Sequence, residues 1–82
     1  MEIDYEAAKP PHVQIADWLR TRILNGEFPP GKRLPTEKAL QDELGVARTT
    51  TRRAMRVLVD EGYILTTPGR GSHVNPKEMW PK

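Results

Sequence analysis

The sequence predicts a mainly α fold carrying a small β-hairpin (an α+β class), with three helices followed by a two- or three-stranded sheet. Three observations carry that expectation. Apolar residues recur at helical spacing in three separate stretches. Each stretch runs up to a glycine, at Gly26, Gly45 and Gly62, a residue that commonly ends a helix. Past Gly62 the helical period gives way to strand formers around a Pro-Gly turn.

The elements follow in order. Residues 1–9 read as an N-terminal tail or a short edge strand, and Pro10 and Pro11 mark the boundary of a domain spanning 10–75. Proline suits a helix start, because its missing N–H has no partner there anyway. Ile15, Leu19 and Ile23, with Ala16 beside them, place one face of a first helix between His12 and Asn25. The segment Gly26 to Pro35 holds prolines and glycines that forbid a helix and favour turns, with Phe28 as a plug onto the core. Thr36 is a good N-cap and Glu37 favours the dipole of a second helix running to Leu44. A third helix begins near Ala47 or Arg48 and reaches Glu61. The short glycine-containing turn between the second and third helices is a helix-turn-helix arrangement. Tyr63 to Thr67 and Ser72 to Val74 then read as strands around the turn Pro68-Gly69-Arg70-Gly71, a wing behind the helix pair. Residues 76–82 read as a C-terminal tail or the start of a linker. The whole is a winged helix-turn-helix.

Composition narrows the function. Eighty-two residues bound a single domain with one modest core. With no cysteine, disulfides and thiolate metal sites are excluded, and the chain fits a reducing cytosol. No apolar run is long enough to span a membrane, and the acidic N-terminus lacks the apolar stretch of a secretory signal, so the expected location is the cytoplasm. There is no Gly-rich phosphate loop before a helix, no nucleophile motif and no metal-ligand spacing, so the chain reads as a non-enzyme without a cofactor. Net charge is only +2, but its distribution is uneven. Glu2, Asp4 and Glu6 crowd the N-terminus, whereas four arginines and no acid lie between Arg48 and Arg56. Such a basic block suits a polyanion-facing surface.

On a helical wheel the third helix divides cleanly. Thr51, Ala54, Met55 and Leu58 cluster on one side. Thr49, Arg52, Arg53 and Arg56 cluster about 160° away. One face can seal against the other helices while the opposite face offers guanidinium groups to double-stranded DNA. The major groove admits a helix, and arginine bonds bidentately to guanine or pairs with phosphate. In this arrangement the first turns of the second motif helix approach base edges, and Arg48, Thr49, Thr50 and Arg52 occupy those turns. The bland alternative is a solvated helix face, although ordinary solvated faces mix charge signs. A second functional alternative is a winged-helix protein-interaction module whose basic strip meets an acidic partner.

From Val13 to Val74 the chain resembles the N-terminal domain of the GntR family of bacterial transcription regulators. The resemblance rests on Gln14-Ile15-Ala16, on Ile23-Leu24-Asn25-Gly26-Glu27-Phe28-Pro29-Pro30-Gly31, and on Leu34-Pro35-Thr36-Glu37. It is strongest from Leu44 to Ala54 and continues through Glu61-Gly62-Tyr63 to the wing Gly69-Arg70-Gly71-Ser72-His73-Val74. It implies a winged helix that binds a short palindromic operator as a dimer, usually as a repressor. It also implies DNA contacts at Lys38, Arg48, Thr49, Thr50, Arg52 and the wing-tip Gly69, with Arg70 beside it. The sequence departs from the family pattern at four places. Lys38 replaces the usual arginine, favouring a point-charge phosphate contact. Ala47 replaces a capping serine. Thr51 places a hydroxyl on the buried face, where it can bond back to the preceding turn. Gln41 replaces a small alanine near the helix crossing. Family members carry a further C-terminal effector-binding domain. This chain ends eight residues after Val74, so it is either a short member or part of a longer one, and no effector site is legible in it. Two alternatives stay open: a homodimer in solution, and a monomer that pairs on DNA.

The remaining singular residues have ordinary readings. His12 and His73 lack companions for a metal site, and His73 belongs to the second wing strand by packing or exposure, with a phosphate contact as the alternative. Trp18 reads as core edge, with a dimer contact as the alternative, and Trp80 as part of a disordered tail, with partner docking as the alternative.

Overall fold

A computed structural model describes residues 1–81. Helix α1 spans Pro11–Leu24, α2 spans Glu37–Leu44 and α3 spans Arg48–Glu61; strands β1 (Ile64–Thr67) and β2 (Gly71–Val74) follow, then a 3-10 turn at Lys77–Met79. The local signals explain the boundaries. Pro11 opens α1. The Thr36 hydroxyl accepts a hydrogen bond from the Ala39 N–H at 3.0 Å and caps α2. Ala47, at the start of α3, supplies no such bond. Gly45 and Gly62 close α2 and α3 with φ of 67° and 93°, a left-handed turn that a side chain would strain.

All three helices contribute to one core. Ile15, Ala16, Leu19 and Ile23 of α1 meet Leu40 of α2 and Ala54, Met55 and Leu58 of α3, and Tyr63, Ile64 and Val74 close it from the hairpin. Each large aliphatic side chain buried this way contributes about 1.5–3 kcal/mol. Phe28 and Trp18 pack at the edge of this core, and the Arg22 guanidinium lies 4.4 Å from the centroid of the Trp18 ring. Among the described residues no helix is long and apolar enough to cross a membrane.

The strands form a two-stranded antiparallel sheet that pairs Ile64 with Val74, Leu65 with His73, Thr66 with Ser72 and Thr67 with Gly71. A third segment, read from the sequence only as turns, runs beside β2. The Gly31 N–H donates to the Val74 carbonyl at 2.8 Å, the Val74 N–H to the Lys32 carbonyl at 2.9 Å, and the Leu34 N–H to the Ser72 carbonyl at 2.9 Å. The prolines and glycines that exclude a helix there leave room for a short extended stretch, which forms a single bridge, Arg33 to His73.

Thr51 and Trp80 also differ from the sequence expectation. The Thr51 hydroxyl is buried and has no hydrogen-bond partner among the described residues; it does not bond back to the preceding turn. The helix ladder does not forbid such a bond, since the Thr21 hydroxyl of α1 donates to the Asp17 carbonyl at 3.0 Å; the Thr51 side chain is instead held among the apolar residues of the core. Trp80 is not in a disordered tail. Its ring lies 5.8 Å from that of Tyr63, and its indole N–H donates to the Asn75 carbonyl at 2.8 Å. A proline-bounded segment with one large aromatic still has about 150–250 Å² to bury. At the other terminus, Gln14 ties the first residues to α1: its amide donates to the Asp4 and Lys9 carbonyls at 2.7 and 2.8 Å.

Candidate nucleic-acid interface

The geometry of α3 follows from its burial. Thr51, Ala54, Met55 and Leu58 are the buried residues of this helix. Sealing that side turns Arg48, Thr49, Arg52, Arg53 and Arg56 into solvent, and all five are exposed. Thr50 sits between the two faces and is half-buried.

The hairpin stands beside this helix and completes a groove. Lys38 from α2 and Arg48 from α3 line one wall of an open cavity of about 550 Å³, and Thr66, Thr67, Pro68 and Gly69 line the wing wall. Lys38 and Arg48 are therefore brought together with the wing tip, although 21 to 31 residues of sequence separate Arg48 and Lys38 from Gly69. Thr49, Arg52, Arg53 and Arg56 border a second, shallower concavity along the helix. Arg70 is exposed at the hairpin turn, which its own N–H closes by donating to the Thr67 carbonyl at 3.0 Å.

Charge pairing on this surface is light. Arg52 Nε stands 3.8 Å from a Glu37 carboxylate oxygen, and Arg56 Nε donates to Asp60 at 3.1 Å, both between side chains open to solvent. Exposed pairs of this kind contribute about 0–1 kcal/mol and can be exchanged for phosphate or a base edge. Arg48 and Arg53 take part in no ion pair among the described residues.

Three groove residues escaped the sequence reading: Glu37 as the acid facing Arg52, and Thr66 and Thr67 on the wing wall. A signal for Thr66 was present. Two-residue strand periodicity puts it on the side of the buried Ile64, and the Thr66 and Ser72 hydroxyls share a hydrogen bond at 2.8 Å across the strands. The Glu37–Arg52 pair carries no sequence signal, because it depends on how α2 crosses α3.

A capped helix, a glycine turn, a helix with a bare arginine face and a hairpin flanking that face together define a winged-helix DNA-binding domain. Residues 11–74 match the family model of the bacterial regulatory proteins of the gntR family. The chain belongs to the GntR family. It is 45% identical over 71 residues to the mannosyl-D-glycerate transport/metabolism system repressor MngR of Escherichia coli, covering 87% of this chain and 30% of that protein. It therefore spans under a third of that relative's length. Among solved structures it is similar to YtrA from Sulfolobus acidocaldarius, a GntR-family transcription factor, with a TM-score of 0.86, 37% identity and coverage of 98% of this chain and 71% of that one. It is also similar to AraR(DBD) in complex with operator ORR3, with a TM-score of 0.80, 30% identity and coverage of 90% and 89%.

Proposed function

We propose that this domain is the sequence-specific DNA-binding part of a cytoplasmic transcription regulator, a repressor acting on a short operator. The observation that carries the reading is the exposed arginine face of α3, held beside the wing groove because its opposite face is sealed in the core. In this reading α3 enters the major groove. Arg48 and Arg52, in its first turns, reach base edges with Thr49 and Thr50 beside them, while Arg53 and Arg56 meet phosphates. Lys38 is a point-charge phosphate contact, and Gly69 and Arg70 bring the wing tip to the minor groove. Two copies pair on the operator, each reading one half-site. Support comes from the family membership, from MngR being named a repressor, and from AraR(DBD) having been solved on operator DNA.

The test is a titration of labelled duplexes across a salt series, using a mixed-sequence duplex and one selected from a random pool. With about four to six phosphate contacts per protomer, the log–log salt slope is expected at roughly −4 to −5. Absence of binding to any duplex even at low salt overturns the reading. Sedimentation with and without the selected duplex tests the pairing of two copies.

A further inference from the structure

The groove formed with α2 and α3 occupies the inner face of the wing and reaches Thr67 and Gly71 at its tip; the outer face carries a guanidinium that the groove does not use. In the hairpin register, Ile64, Thr66, Ser72 and Val74 share the inner face, so Leu65, His73, Thr67 and Gly71 share the outer one. Arg33, bridged to His73 from the neighbouring segment, stands on that outer face. Its side chain runs along the hairpin toward the tip. A Cβ placed on Gly71 would lie 2.9 Å from Arg33 Nε and 3.2 Å from Nη2. The guanidinium therefore rests on the bare Cα of Gly71, at the start of β2 and next to the turn that carries Gly69 and Arg70.

Arg33 is exposed and takes part in no ion pair among the described residues. No Asp or Glu occurs from Gly31 to Thr36 or from Tyr63 to Lys77, the segments that build the wing. An arginine laid along a backbone loses rotamer freedom, and here no carboxylate offsets that loss. The arrangement is a preorganised cation without a partner among the described residues. A minor groove is about 6 Å wide and walled by two phosphate strands, so a hairpin tip entering it presents one face to each wall. The inner face has Lys38 and Arg48 across the groove; the outer face has Arg33.

We infer that Arg33 is a phosphate-binding residue of the wing, contacting the strand on the opposite side of the minor groove from Lys38 and Arg48, and that Gly71 is the position that keeps its guanidinium at the tip. This rests on the reading that the domain binds duplex DNA through its wing.

The experiment uses fluorescence anisotropy on a fluorescein-labelled mixed-sequence duplex across a sodium chloride series, with thermal melts of every variant. Arg33→Ala is expected to weaken binding about fivefold or more at low salt, to make the log–log slope shallower by about 0.9, and to melt like the wild type. Arg33→Lys keeps the charge and restores most of the slope. Gly71→Asn tolerates the left-handed backbone but adds the obstructing Cβ; it reproduces the loss and adds nothing in the Arg33→Ala background. Wild-type affinity and slope in Arg33→Ala overturn the inference. So does a full additional loss when Gly71→Asn is combined with it, for the role given to Gly71. If Gly71→Asn fails to fold, the Ala and Lys variants at position 33 decide the question alone. Failure of the wild type itself to bind any duplex overturns the underlying DNA reading, and it is told apart because it appears before any substitution is made.

Discussion

The two ends of α3 both involve arginine, and they use it in opposite ways. At the C-terminal end, Arg20 of α1 donates to Glu61 through Nε at 3.0 Å and Nη2 at 2.6 Å, and to Asp17 through Nη1 at 2.6 Å. Its guanidinium also lies 5.9 Å from the Tyr63 ring centroid. Partial burial disfavours its charge, but Glu61 and Asp17 outweigh that and hold its pKa above the ordinary value. The chain after β2 closes over the same end. The Asn75 amide donates to the Gly62 carbonyl at 3.0 Å, and a Cβ on Gly62 would collide with the Met79 carbonyl oxygen. At the N-terminal end, Ala47 leaves the helix start without a side-chain cap, and Arg48 and Arg53 project without an ion-pair partner among the described residues. An arginine whose carboxylates lie within the molecule ties helices together. One without such partners is left available for an external anion.

Four outcomes sharpen or break this contrast. The largest is at the open end. Arg52→Ala should cost about 1–3 kcal/mol on a selected duplex and relax sequence preference, with the urea midpoint unchanged. An equal loss on selected and random duplexes would remove base reading from Arg52. At the closed end, Gly62→Ala should lower unfolding stability by about 1–3 kcal/mol, from strained backbone and collision with the Met79 carbonyl; native-like stability in urea would show that the 76–80 segment is not docked on α3. Between the two ends, Thr51→Val removes the buried hydroxyl without a partner and should stabilise by about 1 kcal/mol, read as a higher melting temperature. The smallest effect is a pH dependence. Hydrogen bonds from Lys9 and then Arg20 hold the Asp17 carboxyl below its ordinary pKa of 3.8. A depressed folded-state pKa stabilises the fold above the unfolded value, and that contribution fades as pH falls through the folded one. Asp17→Asn should therefore be less stable than the wild type at neutral pH, and the gap should shrink below about pH 4. A constant gap would point to packing rather than charge.

Local chemistry was read well from the sequence. Thr36, Gly45 and Gly62 mark helix boundaries because capping depends on neighbours within one turn. The two faces of α3 were legible because periodicity is a property of the helix itself. That face and the family resemblance point to the candidate contacts on α3 and at the wing tip, and Lys38, Arg48 and Gly69 line one groove. What escaped were relations between elements: the 31–34 segment pairing with β2, Arg33 lying on Gly71, Glu37 facing Arg52, and Trp80 folding back on Tyr63.

On its own, then, the order of residues determined which segments become helix or strand and which side of α3 is bare. Caps, turns and amphipathic spacing act over a few residues, and burial of the apolar side forces the charged side outward. Only the packed structure decided which charges are consumed and which remain. Pairing a guanidinium with a carboxylate some 40 positions away, as Arg20 and Glu61 do at a separation of 41, depends on where the core brings the chain together.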